Sequence, residues 1–311
     1  MRITKTRTFT LKKVALALMI AAGTITSAYA VVTGSTGTIR GVIPVLKSAS
    51  GADIHAVDFA TNGTNPLMPV TGDTITMTYK YTDTDGDADN STTTVHWYYV
   101  PANGTAPQVE ITTGITNALA GDTTDSAGGS SAVVIPDEAL GAIIKAVITE
   151  KSVTGDLNTG YTLTYDNVSK PGAITPGPDG GTDTGGGGET TVPDQPVGPG
   201  ADLIPAIYAT TDTGFTTNLL AAENANIKLK VGATYQFKLF GSDGTTDLTS
   251  TVNYKWKLTG SSATTHIAAP ETLFNPDANF VVPANVAAQA IVVSPDGVQG
   301  FGLAVDYNAK Q

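Results

Sequence analysis

Short runs in which apolar and polar residues alternate recur along the chain, and turn-forming residues separate them. The clearest run is 74–81, where Ile75, Met77, Tyr79 and Tyr81 fall on one face. An alternation with a period of two over four to eight residues predicts a half-buried strand. The same pattern predicts strands at 94–99, 132–135, 142–149, 161–165, 234–240, 252–258, 280–282, 290–293 and 303–307. The fold class predicted from the sequence is therefore all-β.

Polar turns separate these strands, and each half of the chain holds one tryptophan. The Asp-rich stretch 83–90 lies between two strands, so residues 74–99 are interpreted as a hairpin with a long acidic loop. Trp97 and Trp256 each fall on the apolar face of a strand. Several short antiparallel strands around a buried tryptophan are typical of a β-sandwich, so we expect two sandwiches with one tryptophan in each core.

The composition changes abruptly once, between the two groups of strands. Sixteen of the 30 residues from 171 to 200 are Gly or Pro, and large apolar residues are almost absent. Such a segment buries too little surface to offset the entropy lost on ordering. The sequence therefore predicts a β-sandwich at 31–170, a disordered linker at 171–202 and a second sandwich at 203–311, each half of ordinary domain size.

The amino terminus has the three parts of an export signal. Residues 2–13 carry five basic side chains, residues 14–22 are apolar, and residues 28–30 read Ala-Tyr-Ala. This order is that of a cleavable signal peptide, and the apolar run is about half the ~20 residues that would cross a bilayer. We therefore expect residues 1–30 to be removed and the mature protein to pass through the inner membrane and the periplasm. It would then remain at the cell surface or be secreted, without inserting in a membrane.

Charge and cysteine content narrow the function classes. The signal holds five of the 17 Lys and Arg and none of the 28 Asp and Glu, which leaves a mature net charge of −16. A surface this acidic repels phosphate backbones and disfavours nucleic-acid binding. The chain has no cysteine, which excludes disulfides and thiolate metal sites.

The acidic loop is the strongest candidate for a metal site. Carboxylates two residues apart can converge on a hard cation such as calcium, and this pattern is formed by Asp83, Asp85, Asp87 and Asp89. An EF-hand, however, needs Gly at its sixth position and Glu at its twelfth, where this loop has Ala88 and Thr94. The alternative, which we favour, is a solvated turn whose like charges also discourage pairing with other sheets.

No pattern for catalysis is found. The three histidines, His55, His96 and His266, stand apart in the sequence, and no Ser–His or carboxylate pair lies in a recognisable frame. The interpretation is a binding protein that is not an enzyme and has no cofactor, with calcium at the acidic loop as the one alternative. The alternative is a carbohydrate-binding or carbohydrate-acting accessory protein, which needs a concave, aromatic-lined site with paired carboxylates.

Several segments resemble known surface proteins. Residues 231–237 and 242–249, followed by Val252 and Trp256, resemble the bacterial immunoglobulin-like domains of intimin- and invasin-type proteins. In the first half, the immunoglobulin-like repeats of large bacterial adhesins are resembled by residues 71–75, 79–87, 97–98 and 134–136.

The order of signal, two such domains and a Gly/Pro linker is similar to that of secreted proteins associated with inverse autotransporters, of the SinI and ZirS kind. This resemblance implies a role in adhesion or virulence modulation and a protein partner, an outer-membrane β-barrel of the inverse autotransporter type. It supplies no catalytic residues.

Overall fold

Antiparallel sheets build the part of the chain that the structure describes, residues 33–51, 53–102, 106–175 and 185–310 of a computed structural model. The all-β fold class is confirmed. The predicted signal peptide, residues 1–30, lies outside the described residues. Arg40–Gln311 forms one compact unit.

In the described part of the amino-terminal half, ten strands form two five-stranded sheets. They are β1 Val45–Ser48, β2 Asp58–Thr61, β3 Thr74–Thr82, β4 His96–Pro101, β5 Val109–Ile111, β6 Ile115–Ala118, β7 Thr124–Val134, β8 Ala142–Lys151, β9 Thr159–Tyr165 and β10 Ala173–Thr175. One sheet has the order β1-β3-β7-β6, with β2 also paired to β3, and the other has the order β10-β9-β8-β4-β5. Short 3₁₀-helices at Ser91–Thr94 and Asp137–Ala139 lead into β4 and β8.

The first core lies between these two sheets. Ile75, Met77, Tyr79 and Tyr81 of β3 are all fully buried, as their alternation predicts. Trp97 of β4 is also fully buried, and its indole nitrogen donates a hydrogen bond to the Ser131 hydroxyl of β7 at 2.9 Å. Apolar residues of both sheets thus meet in one cluster.

The predicted hairpin at residues 74–99 is wrong. β3 pairs with β1, β2 and β7, whereas β4 pairs with β5 and β8, so the two strands belong to different sheets. The acidic loop therefore passes from one sheet to the other. Alternation along a strand identifies its buried face but not its neighbour, which is why the local pattern suggested a hairpin.

Strand β7 begins at Thr124, well before the predicted start at residue 132. Its first half is rich in Gly and Ser, a composition that weakens a strand prediction. Packing requires Gly129 to be a glycine, because a Cβ atom there would lie 2.4 Å from the ring of Tyr79 on the neighbouring strand. The small residues of β7 make room for the large ones of β3.

In the described carboxy-terminal half, six strands and one α-helix accompany short 3₁₀-helices at Ala222–Asn224 and Thr249–Thr251. The strands and the α-helix are β11 Ile204–Ala209, β12 Thr234–Phe240, β13 Val252–Gly260, β14 Leu273–Phe274, β15 Phe280–Val281, α1 Asn285–Val292 and β16 Phe301–Ala309. The strands form two three-stranded sheets with the orders β11-β12-β15 and β14-β13-β16. Trp256 is fully buried in a second apolar cluster, as predicted.

The predicted strand at 290–293 is wrong, because this segment forms the end of α1. The β-branched run from Ile291 to Val293 favours a strand locally. The helix instead buries Ala288 and Val292 in the second core. Val293, which follows the last helical residue, has a φ of 50°, in the left-handed region that usually takes Gly or Asn.

Residues 185–200, which we call the closing strap, lie against the first pair of sheets. Val192 and Val197 are buried in the first core. The strap also pairs with β2, since the amide of Phe59 donates to the carbonyl of Glu189 and the amide of Thr191 donates to the carbonyl of Phe59. Disorder was predicted for 171–202, but within this range the structure describes strand β10 and the packed strap. Residues 176–184 are outside the described residues.

The two halves of the compact unit touch directly. Leu140, at the end of the short helix Asp137–Ala139, packs in the second core. A carboxylate oxygen of Asp137 accepts hydrogen bonds from the amide and the hydroxyl of Ser242, both at 2.7 Å. The segment between β7 and β8 therefore anchors the carboxy-terminal half.

Candidate functional site

The acidic loop brings together three of the four candidate aspartates. One carboxylate oxygen from each of Asp83, Asp85 and Asp87 lies within 4.8 Å of the others. Asp83 is buried, Asp85 is exposed and Asp87 lies between these extremes. Three carboxylates could supply part of the six to eight oxygen ligands that calcium takes.

Hydrogen-bond donors of the protein already occupy these carboxylates. One oxygen of Asp83 accepts the amides of Asp85 at 2.9 Å and Asp87 at 3.3 Å. Asp85 accepts the amide of Val42 at 2.6 Å, and Asp87 accepts the hydroxyl of Thr154. These bonds fix the loop against two neighbouring segments and offset part of its negative charge.

Asp89 lies apart from this cluster and is buried. One of its oxygens accepts the Tyr79 hydroxyl at 2.7 Å and the Ala120 amide at 2.9 Å, and the other accepts the Ser91 amide at 2.8 Å. Burial, and secondarily the adjacent Asp89 charge, raise the pKa of Tyr79 far above its ordinary value. Asp89 thus links β3 to the segments that contain Ser91 and Ala120.

A buried histidine–glutamate pair lies in the first core. Nδ1 of His55 is 2.8 Å from Oε1 of Glu150, and their side chains are 3 % and 0 % exposed. Glu150 also accepts the amides of Leu46 at 2.8 Å and Tyr161 at 2.9 Å. Burial raises the pKa of Glu150, although these hydrogen bonds and His55 act in the opposite direction.

His55 stands apart from the other two histidines in the sequence, and no motif there singles out Glu150. The available signal was the alternation along β8, where Ala146, Ile148 and Glu150 occupy successive inward positions. A carboxylate in the apolar phase of a strand indicates a buried charge that needs a partner. The sequence does not reveal which partner, because His55 is 95 residues away.

A polar cleft lies beside β13 and β16 in the second half. Two tyrosines and two aspartates line it, namely Tyr254, Tyr307, Asp277 and Asp306, together with Asn253, Asn308, Lys255 and Pro276. Its volume is about 240 Å³. One carboxylate oxygen of Asp277 accepts the amide of Tyr254 at 2.7 Å, and burial followed by this aspartate raises the pKa of Tyr254.

A separate apolar pocket, which we call the flank pocket, lies between the terminal strands β15 and β16. Its volume is about 370 Å³. Apolar residues from the core form much of its lining, which consists of Leu229, Val231, Leu258, Ala263, Phe280, Val282, Val298, Phe301 and Leu303 with Lys228, Gln299, Gly300 and Gly302. The pocket therefore leads from the surface to the second core.

The described residues thus define an all-β protein with an acidic loop, a buried histidine–glutamate pair, a polar cleft and an open apolar flank. No family model matches the chain, and neither a curated protein nor a solved structure matches it. Among the described residues, no helix has the length and apolar character needed to span a membrane.

Proposed function

We propose that the chain is a secreted or surface-associated binding protein that performs no catalysis. The observation that carries this proposal is the edge strand β16. It extends over nine residues and pairs only with β13 among the described strands. Its inward residues, Phe301, Leu303, Val305 and Tyr307, are each only partly buried.

An edge of this kind suits protein recognition. Its free side presents backbone N–H and C=O groups to any strand that adds to the sheet. Proteins usually block such edges with proline, lysine or inward-pointing charge. β16 contains neither proline nor lysine, and Asp306 is its one charged residue and points outward.

The proposed partner is an outer-membrane β-barrel of the inverse autotransporter type, related to intimin and invasin. The support is the resemblance of residues 231–237 and 242–249 to bacterial immunoglobulin-like domains, together with the export signal at residues 1–30. The role would be adhesion or the modulation of virulence at the cell surface. Two immunoglobulin-like sandwiches are the domain form that we propose for the two sheet pairs.

The proposal is tested in cells that carry or lack the gene for the candidate barrel. Surface-exposed and released protein are measured in both, together with binding of the purified mature chain to isolated outer membranes. We expect the surface fraction to fall and the released fraction to rise when the barrel is deleted. Unchanged fractions and no binding to membranes that contain the barrel would refute this partner.

The polar cleft favours carbohydrate binding as a second candidate function. Carboxylate and amide groups are suited to the hydroxyl groups of a sugar ring, and the cleft lining provides them at Asp277, Asp306 and Asn308. Titration with bacterial cell-surface polysaccharides, followed by intrinsic fluorescence, should then show binding that Asp306→Ala abolishes. Tyr98→Ala, outside the cleft, is the control, and equal affinity of both variants would reject this function.

A further inference from the structure

We infer that the flank pocket takes an extended segment of a partner protein in which a large apolar side chain has an acidic residue nearby. The segment would add to the free edge of β16 and place its apolar side chain in the pocket. This inference rests on the proposed binding function, and it specifies the place and the chemistry of recognition.

The flank pocket lies on an open side of the carboxy-terminal half. β15 ends one sheet and β16 ends the other, so the flank between the two sheets is not closed by a strand in the described part of the chain. The pocket reaches Leu258, Phe280 and Val298, which are 5 %, 6 % and 8 % exposed. An apolar side chain that entered from this flank would contact the second core.

The edge strand β16 forms one wall of the pocket. Phe301 and Leu303 of β16 line the pocket, and both are only partly buried. In an added strand, alternate side chains point to the same face, so a residue beside Leu303 would point into the pocket. The free backbone groups of β16 would supply the pairing, and the pocket would select the apolar side chain.

Two lysines supply positive charge at the rim of the pocket. Lys228 lines the pocket and is exposed, and Lys230 two residues later is exposed as well. Within the described residues neither lysine forms an ion pair, whereas five other lysines do. Two unpaired cations beside an apolar pocket, in a mature chain of net charge −16, favour a segment with an acidic residue near its apolar anchor.

The test uses the mature chain and a labelled peptide with the sequence Asp-Thr-Val-Thr-Leu-Thr-Val-Asp, with binding measured by fluorescence anisotropy. A control peptide has Lys at both ends. We expect the acidic peptide to bind about fivefold more tightly than the basic one, and Lys228→Glu to remove this preference. Arg40→Glu, at an exposed residue of the amino-terminal half, should leave the preference unchanged.

Backbone pairing is tested with two further peptides, N-methylated on the odd or on the even residues. Only one side of an added strand pairs with β16, so one of the two peptides should lose binding and the other should retain it. Leu303→Thr, checked for folding by its thermal transition, should weaken the binding of every peptide that binds the original chain. Equal affinity for acidic and basic peptides, no binding of any peptide, or retained binding of both methylated peptides would overturn the inference.

Two more measurements separate the inference from the function on which it rests. If Lys228→Glu binds outer membranes as well as the original chain does, the flank pocket is not the docking site, although the binding function stands. If neither protein binds, the proposed function itself fails. A dimer of the mature chain in analytical ultracentrifugation that Leu303→Thr dissociates would identify a second copy as the occupant, and this result would also overturn the inference.

Discussion

Nδ1 of His55 lies 2.8 Å from Oε1 of Glu150, at a point in the first core where both side chains are buried. Glu150→Ala would remove the carboxylate that contacts His55 and that accepts the buried amides of Leu46 and Tyr161. Removal of one partner of a buried pair typically costs about 3–5 kcal/mol. We therefore expect the free energy of unfolding, measured by urea denaturation, to fall by about 3 kcal/mol or more.

The chain contains a matched control for this variant. His96 and Glu110 form the same type of pair at 2.6 Å, but their side chains are 51 % and 45 % exposed. Glu110→Ala should therefore change the free energy of unfolding by less than about 1 kcal/mol. Similar losses for the two variants would show that burial does not determine the contribution of the pair.

The hydrogen bond from Tyr79 to Asp89 predicts a loss of stability at alkaline pH. Tyr79 is fully buried, and its pKa in the folded protein is raised above the ordinary value of 10.0. The folded state therefore holds this proton more tightly than the unfolded state does. The resulting stability is complete below pH 10.0 and is lost as the pH rises above it.

Tyr79→Phe tests this dependence. Loss of the hydrogen bond should lower the free energy of unfolding at pH 7 by about 1–2 kcal/mol. Above pH 10.0 the variant should lose less stability than the original chain, because one group with a raised pKa is gone. Tyr98→Phe, at a partly exposed tyrosine of β4, is the control, and an equal pH dependence in all three proteins would contradict this role of Tyr79.

Alternation of side chains allowed the buried faces of the main strands to be predicted, but not which strands pair. The inward residues of β3 and the inward position of Trp256 in β13 were predicted correctly, because each strand has one buried and one solvent-facing side. The placement of β3 and β4 in different sheets could not be predicted in this way, since the alternation within each strand is the same whichever strand it pairs with. The pairing depends on contacts between residues that are far apart in the sequence.

Composition was the weaker guide to the closing strap and the candidate site. A Gly-rich segment is usually interpreted as flexible, yet here its glycines allow the backbone to approach the first sheet. The aspartate spacing did predict a cluster at Asp83, Asp85 and Asp87. It did not predict that Asp89 would turn inward to Tyr79, because that depends on the loop's path between the two sheets.

The closing strap provides a third prediction, at Gly188. Its φ is +106°, and a Cβ atom there would lie 2.1 Å from the carbonyl oxygen of Val57. Gly188→Ala would have to move the strap away from the sheet, and we expect a loss of at least about 2 kcal/mol in the free energy of unfolding. The measurement is thermal unfolding combined with limited proteolysis, followed by mass spectrometry of the cut sites.

The strap should resist proteases at residues 185–200 in the original chain and become sensitive in Gly188→Ala. Gly37→Ala is the control, because a Cβ atom at Gly37 meets nothing within 4 Å. Rapid cleavage within 185–200 of the original chain would show that the strap is not docked in solution. That result would restore the interpretation of this segment as a linker.

The last prediction concerns calcium at the acidic loop. Asp83, Asp85 and Asp87 lie close enough to share an ion, but each already accepts at least one hydrogen bond from the protein. A calcium ion would have to replace some of these donors and find further oxygen ligands to reach six or more. We therefore expect calorimetry to show no heat, or binding only at about millimolar calcium, the range of weak extracellular sites. A micromolar dissociation constant that Asp85→Ala abolishes, while Asp122→Ala at another exposed turn does not, would instead establish the loop as a calcium site.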